Sequence, residues 1–88
     1  RDETWWWELG MISYKHMHRL QIIFDVDGIT QEQHSTYRVG TELDKVLAHM
    51  KAFAESGSVT KCFTIVFEHN QDDVEKIGEL AKANGAIC

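Results

Sequence analysis

The residues able to do chemistry in this sequence gather at the ends of two apolar runs. Leu20-Gln21-Ile22-Ile23-Phe24-Asp25-Val26 leads into Asp27-Gly28, and Cys62-Phe63-Thr64-Ile65-Val66-Phe67 leads into Glu68-His69-Asn70. An acidic side chain at the end of a buried strand loses hydration, so it must be hydrogen-bonded or put to use. In parallel α/β architectures ligands collect at this place, beyond the carboxyl ends of the strands. Each group also has a plainer reading: Asp27-Gly28 makes a turn, and Asn70 caps the helix after it. The histidines say less. His16 and His18 are spaced as an edge pair for a metal but have no third ligand nearby in sequence. His34, His49 and His69 read as surface or capping residues, with His49 partly exposed inside a helix. Cys62 and Cys88 make no CxxC pair and no disulfide framework, and Cys62 reads as a buried thiol.

Helices and strands must hold these groups, and the apolar pattern supplies them. Thr4 caps a first helix reaching about Ile12, with Trp5, Leu9 and Ile12 at helical spacing. Trp5, Trp6 and Trp7 cannot all face one side, and helix packing is favoured over a partner-binding patch. Leu20–Val26 suits a strand buried on both faces. Thr30 followed by Gln33 forms a capping box for a short helix or ordered loop up to Arg38. A longer helix runs from about Glu42 to Glu55, capped by Thr41 with Asp44 three residues on. Its core stripe is Leu43, Val46, Leu47, Met50, Phe53 and Ala54, and Gly57 stops it.

The second run, Cys62–Phe67, predicts another strand buried on both faces. A last helix follows, capped by Asn70, with Asp72 and Asp73 favourable to its dipole. Val74, Ile77, Leu80 and Ala81 form its apolar face, Glu75, Lys76 and Glu79 its solvated side, and Gly85 its end. The order α-β-(short α)-α-β-α is a βαβ unit, whose strands are expected to be parallel with a right-handed crossover.

Composition narrows the class. The 88 residues make one small domain, and 43% apolar with 26% charged residues is ordinary for a globular chain. A formal net charge of −5 gives no nucleic-acid footprint. No apolar run has the length of a membrane span and no signal-peptide pattern opens the chain, so a cytoplasmic setting is expected. Pro is absent and no linker interrupts the sequence, so residues 1–88 are read as one partial domain. Two strands can neither cover both sheet faces nor close a barrel. The sequence opens at Arg1 and closes on Gly85-Ala86-Ile87-Cys88, a helix stop and then the start of a strand. A middle slice of a larger α/β domain is therefore expected.

Two families fit the first strand. Phe24-Asp25-Val26-Asp27-Gly28-Ile29-Thr30 resembles the opening motif of haloacid-dehalogenase-like phosphatases. That resemblance implies a phosphohydrolase with Asp25 as nucleophile, Asp27 as acid/base and Mg²⁺ between them. It departs at Ile29, and the second strand ends in Glu68-His69-Asn70 where that family has Ser or Thr. Asp72-Asp73 opens a helix directly after that strand, whereas the family's acidic pair ends a later one.

The second resemblance covers nearly the whole chain. Asp25-Val26-Asp27-Gly28, then His34-Ser35-Thr36-Tyr37-Arg38-Val39-Gly40, then Asp44-Lys45-Val46 and Lys51-Ala52-Phe53 keep the order of motifs of radical S-adenosylmethionine (radical SAM) domains. Phe67-Glu68-His69-Asn70 and Leu80-Ala81-Lys82-Ala83-Asn84-Gly85 continue it. The resemblance is particularly to domains related to the peptide-modifying and sulfatase-maturing branch, although Asp25 stands where that family commonly has Ser.

This second resemblance implies parallel βα units of a partial (β/α) TIM-type barrel. It also implies that Asp25 and Arg38 contact S-adenosylmethionine, with Arg38 suited to its carboxylate and Asp27 shaping the turn beside the site. The family's CxxxCxxC loop and its [4Fe–4S] cluster have no counterpart in this chain, and the ligands are expected upstream of Arg1. The complete protein is expected to generate a 5′-deoxyadenosyl radical and modify a substrate, a peptide among the candidates. This chain alone is expected to be inactive. The remaining alternative is a small non-enzymatic α/β interaction module.

Overall fold

A computed structural model describes residues 1–16 and 22–87 of the chain. Its first helix, α1 (Glu3–Lys15), starts one residue before the expected cap. Asp2 is the N-cap instead of Thr4, its Oδ1 accepting the Trp5 N–H at 2.9 Å. Of the expected inward stripe Leu9 holds, whereas Trp6 and Ser13 stand in for the expected Trp5 and Ile12. Trp6, Leu9, Gly10 and Ser13 face the protein, at spacings of three and four, while Trp5, Trp7 and Ile12 are exposed. Trp6 packs on Phe24 (5.0 Å between ring centroids) and stacks on His49 (5.9 Å).

Strands β1 (Ile22–Asp25) and β2 (Thr60–Phe63) pair in parallel, with Ile22 opposite Thr60 and Asp25 opposite Phe63. β2 begins two residues before the expected Cys62 and stops at Phe63, so Thr64–Phe67 lies outside it, and β1 stops one residue short of Val26. Of the first run, Leu20 and Gln21 lie outside the described residues. The ladder stops after the Val26 N–H donates to Phe63 O at 3.0 Å, because side chains then take over the pairing. Between the strands lie α2 (Gln31–Tyr37) and α3 (Leu43–Glu55); a 3-10 turn at Gln71–Asp73 and α4 (Val74–Ala83) follow β2. After Gly85, Ile87 makes an isolated parallel bridge to Lys61, at the position where the sequence suggested the start of a strand.

One core holds these pieces together. Phe24, Val26 and Cys62 from the sheet side meet Leu43, Met50 and Phe53 of α3, and Ile77 and Ala81 of α4. Val74, expected in the core stripe of α4, is 39% exposed. The helices cover the sheet face that carries Phe24 and Cys62. On the opposite face Ile23 is 54% exposed and Phe63 56% exposed, so neither strand is buried on both sides as its sequence suggested. Cys62 is buried but not a thiol: it is disulfide-bonded, and Cys88 lies outside the described residues. The architecture is mixed α/β on a two-stranded parallel sheet. Among the described residues, no helix is long and apolar enough to cross a membrane.

Candidate functional site

Where β1 and β2 stop pairing, their separating ends are joined by side chains. Thr64 Oγ1 donates to Val26 O at 2.7 Å, and the Ile65 N–H donates to Asp27 Oδ1 at 2.9 Å. Asp27 is fully buried and uses all of its polar groups. Its Oδ2 accepts Arg38 Nε–H at 2.8 Å, its N–H donates to His34 Nδ1 at 3.1 Å, and its carbonyl accepts Asn70 Nδ2–H at 3.0 Å. The polar atoms that burial would otherwise strand are thereby satisfied.

Gly28 lets α2 come this close. A Cβ there would overlap the backbone N of His34 and lie 2.8 Å from the Gln33 carbonyl carbon. The Thr30 cap holds as expected, accepting Gln33 N–H at 3.1 Å. Gln33 Oε1 accepts the Ile29 N–H at 2.8 Å, and its Nε2 donates to His69 O and Asp73 Oδ2. Gln31 ties α2 to α3, accepting the Leu43 N–H at 2.6 Å. Thr41 therefore does not cap α3, whose N-cap is Glu42 with no side-chain cap bond. Thr41 faces α2 instead.

Asn70 departs furthest from its expected role. It makes no cap bond to the helix after it. Its amide turns back, accepting the Phe67 N–H at 2.7 Å and donating to both Asp27 O and Ile65 O at 3.0 Å. It closes the loop and clamps the ends of both strands. His34, expected at the surface, is fully buried. Because Nδ1 accepts from the Asp27 amide, the ring proton sits on Nε2 and points at Thr41 Oγ1, 2.9 Å away. Burial lowers the His34 pKa; Asp27 and Asp25 pull it up and Arg38 pushes it down, but burial prevails.

The three residues singled out from sequence thus come together. Arg38 bridges the two aspartates, with Nη2 3.4 Å from Asp25 Oδ1 and Nε on Asp27. Partial burial opposes its charge, but the Asp27 hydrogen bond and the fields of Asp25, Asp27 and Tyr37 outweigh this and raise its pKa. The side chains of Asp25 and Arg38 remain 46% and 26% exposed, whereas that of Asp27 is closed off. Beside them Tyr37 packs on Phe67 (4.7 Å) and Phe67 stacks on His69 (5.4 Å).

Chemically, the open part of this arrangement suits a small zwitterion. The planar guanidinium can take a carboxylate, and Asp25 can accept from hydroxyl or ammonium groups. It does not suit a divalent cation. Both Asp27 oxygens already face N–H donors, and Arg38 stands where an ion shared with Asp25 would lie. No group of three or more His, Cys, Asp or Glu among the described residues could hold a metal. His16 is exposed at the end of α1, and His18 lies outside the described residues.

A groove of about 680 Å³ is lined by Trp7, Leu47 and Ala52 among others and shares no residue with the cluster. The sequence reading missed the roles of His34, Thr41 and Asn70. One signal was available: His34 and Arg38 are four residues apart, hence on one face of a short helix. Comparison with family models, curated proteins and solved structures finds no match to this chain.

Proposed function

We propose that this chain is a segment of a radical SAM barrel that supplies part of the S-adenosylmethionine pocket. The observation that carries this reading is Arg38, held between Asp25 and Asp27 at the carboxyl ends of two parallel strands and still partly open. Arg38 would take the methionyl carboxylate, and Asp25 would accept from the ammonium or the ribose hydroxyls. Asp27 orients Arg38 from beneath. The sheet supports the barrel: helices cover one face, and the other carries Ile23, Asp25, Lys61 and Phe63, as the lumen side of a barrel wall would.

Held beside an iron–sulfur cluster, S-adenosylmethionine supplies radical chemistry, here for a substrate of which a peptide is one candidate. The chain's own residues do not fit such a cluster, since it has two cysteines and Cys62 is disulfide-bonded. Its contribution is to bind and orient the cofactor. Calorimetric titration with S-adenosylmethionine should show binding that weakens at least about tenfold in Arg38→Lys, which loses the planar fork. Asp25→Ala should weaken it by a similar factor. Affinity unchanged by both substitutions would overturn the reading.

A further inference from the structure

Four hydrogen bonds around His34 close on themselves. The Asp27 N–H donates to His34 Nδ1 at 3.1 Å, and His34 Nε2–H donates to Thr41 Oγ1 at 2.9 Å. Thr41 Oγ1–H donates to Arg38 O at 2.7 Å, and Arg38 Nε–H returns to Asp27 Oδ2 at 2.8 Å. The ring begins and ends on Asp27. Its imidazole joins the residue that bears the carboxylate to the residue that bears the guanidinium. The Arg38 N–H also donates to His34 O at 3.1 Å, so His34 holds Arg38 by backbone as well.

Only the neutral Nε2–H form can close this ring. With a proton on Nδ1, the imidazole would face the Asp27 N–H donor against donor. We propose that His34 is a positioning residue for ligand binding: as a neutral imidazole it locks the Asp27–Arg38 pair and so aims the guanidinium at a ligand carboxylate. This rests on the reading of Arg38 as the carboxylate contact.

The charged groups around His34 are Asp27 and Asp25 from the β1 side and Arg38 at the end of α2. The aspartates favour an imidazolium and Arg38 opposes it. Thr41 ahead of α3 and Asn70 after β2 bring no charge to the cluster. Acid therefore breaks the ring at the imidazole and leaves Arg38 held by Asp27 and Asp25 alone.

The test reads the ring with and without ligand. Long-range proton–nitrogen spectra of the protein give the His34 tautomer and its titration. Hydrogen exchange of Arg38 Nε–H reports how firmly the guanidinium is held. The Nε2–H tautomer is expected, with Arg38 Nε–H protected while His34 is neutral and exposed once it is protonated. Thr41 is exposed, so Thr41→Val should keep the fold while removing the hydroxyl from the ring. It should speed Arg38 Nε–H exchange and weaken S-adenosylmethionine binding, each roughly tenfold, and Thr41→Ser should restore both. An Nδ1–H tautomer overturns the inference, as does Arg38 exchange indifferent both to His34 titration and to Thr41→Val. If the ring behaves as expected and S-adenosylmethionine does not bind, the proposed function fails while the positioning role of His34 stands.

Discussion

Asp25 and Asp27 are two residues apart on one strand, yet the protein treats them oppositely. The Asp27 carboxylate is buried and accepts one backbone and one guanidinium N–H, whereas Asp25 is half open and its ion pair with Arg38 is long, at 3.4 Å. Asp27→Ala leaves the Ile65 amide and the Arg38 Nε–H without their acceptor, a loss of about 2–4 kcal/mol. Asp25→Ala should change stability by less than about 1 kcal/mol, as exposed pairs do. Urea unfolding of the two variants checks this, and equal losses would contradict the assigned roles. His34 makes a pH-dependent contribution whose sign follows from its lowered pKa. The unfolded state takes up its proton first, near pH 6.5 as an ordinary histidine. The His34 contribution is therefore complete above that pH and lost as pH falls through the lower folded value. The urea midpoint should drop on acidification, and His34→Gln should flatten that part of the profile.

At the scale of elements, β1 ends where it does because Asp27 and Gly28 bring α2 against it. The close approach at Gly28 is backbone to backbone, so a methyl group cannot be accommodated by a rotamer change. Gly28→Ala should cost about 1–3 kcal/mol, as other overpacking changes in tight sites do. If the chain binds S-adenosylmethionine as proposed, Gly28→Ala should also lower that affinity, since α2 carries His34 and leads into Arg38. A Gly28→Ala protein of unchanged stability and affinity would show that α2 can shift without consequence. The elements themselves were largely legible. The stripe of α3 and the Thr30–Gln33 cap follow from spacing alone, and Met50 and Phe53 are fully buried as that stripe requires. The α1 stripe misled because three adjacent tryptophans offer three phases. Trp6 is chosen because Gly10 and Ser13 on its side let α1 come close to the end of α3, where Ser58 Oγ donates to Gly10 O at 2.5 Å.

Taken whole, the molecule is one-sided. Its core lies between helices and one face of a parallel sheet, and the other face is open at Ile23 and Phe63. Substitution should reveal this asymmetry within one strand. Phe63→Ser, on the open face, should change the stability of this chain by less than about 0.5 kcal/mol. Phe24→Ala, on the covered face, should cost about 3–5 kcal/mol. Both are read from urea midpoints at constant slope. Comparable losses at the two positions would mean that the open face is covered in solution, as a barrel wall would be.

The sequence by itself determined the order of elements, the parallel pairing implied by a helical crossover, and the acidic cluster at the strand ends. These are local properties, written in apolar period, caps and turn residues. Only the tertiary structure decided which aspartate is sealed and which is open, because that depends on Arg38, thirteen residues beyond Asp25 in sequence, folding back between them. It also gave Asn70 and His34 their partners. A side-chain amide that serves two strand ends and an imidazole that closes a ring are long-range satisfactions of buried polar atoms, and no spacing rule along a single chain encodes them.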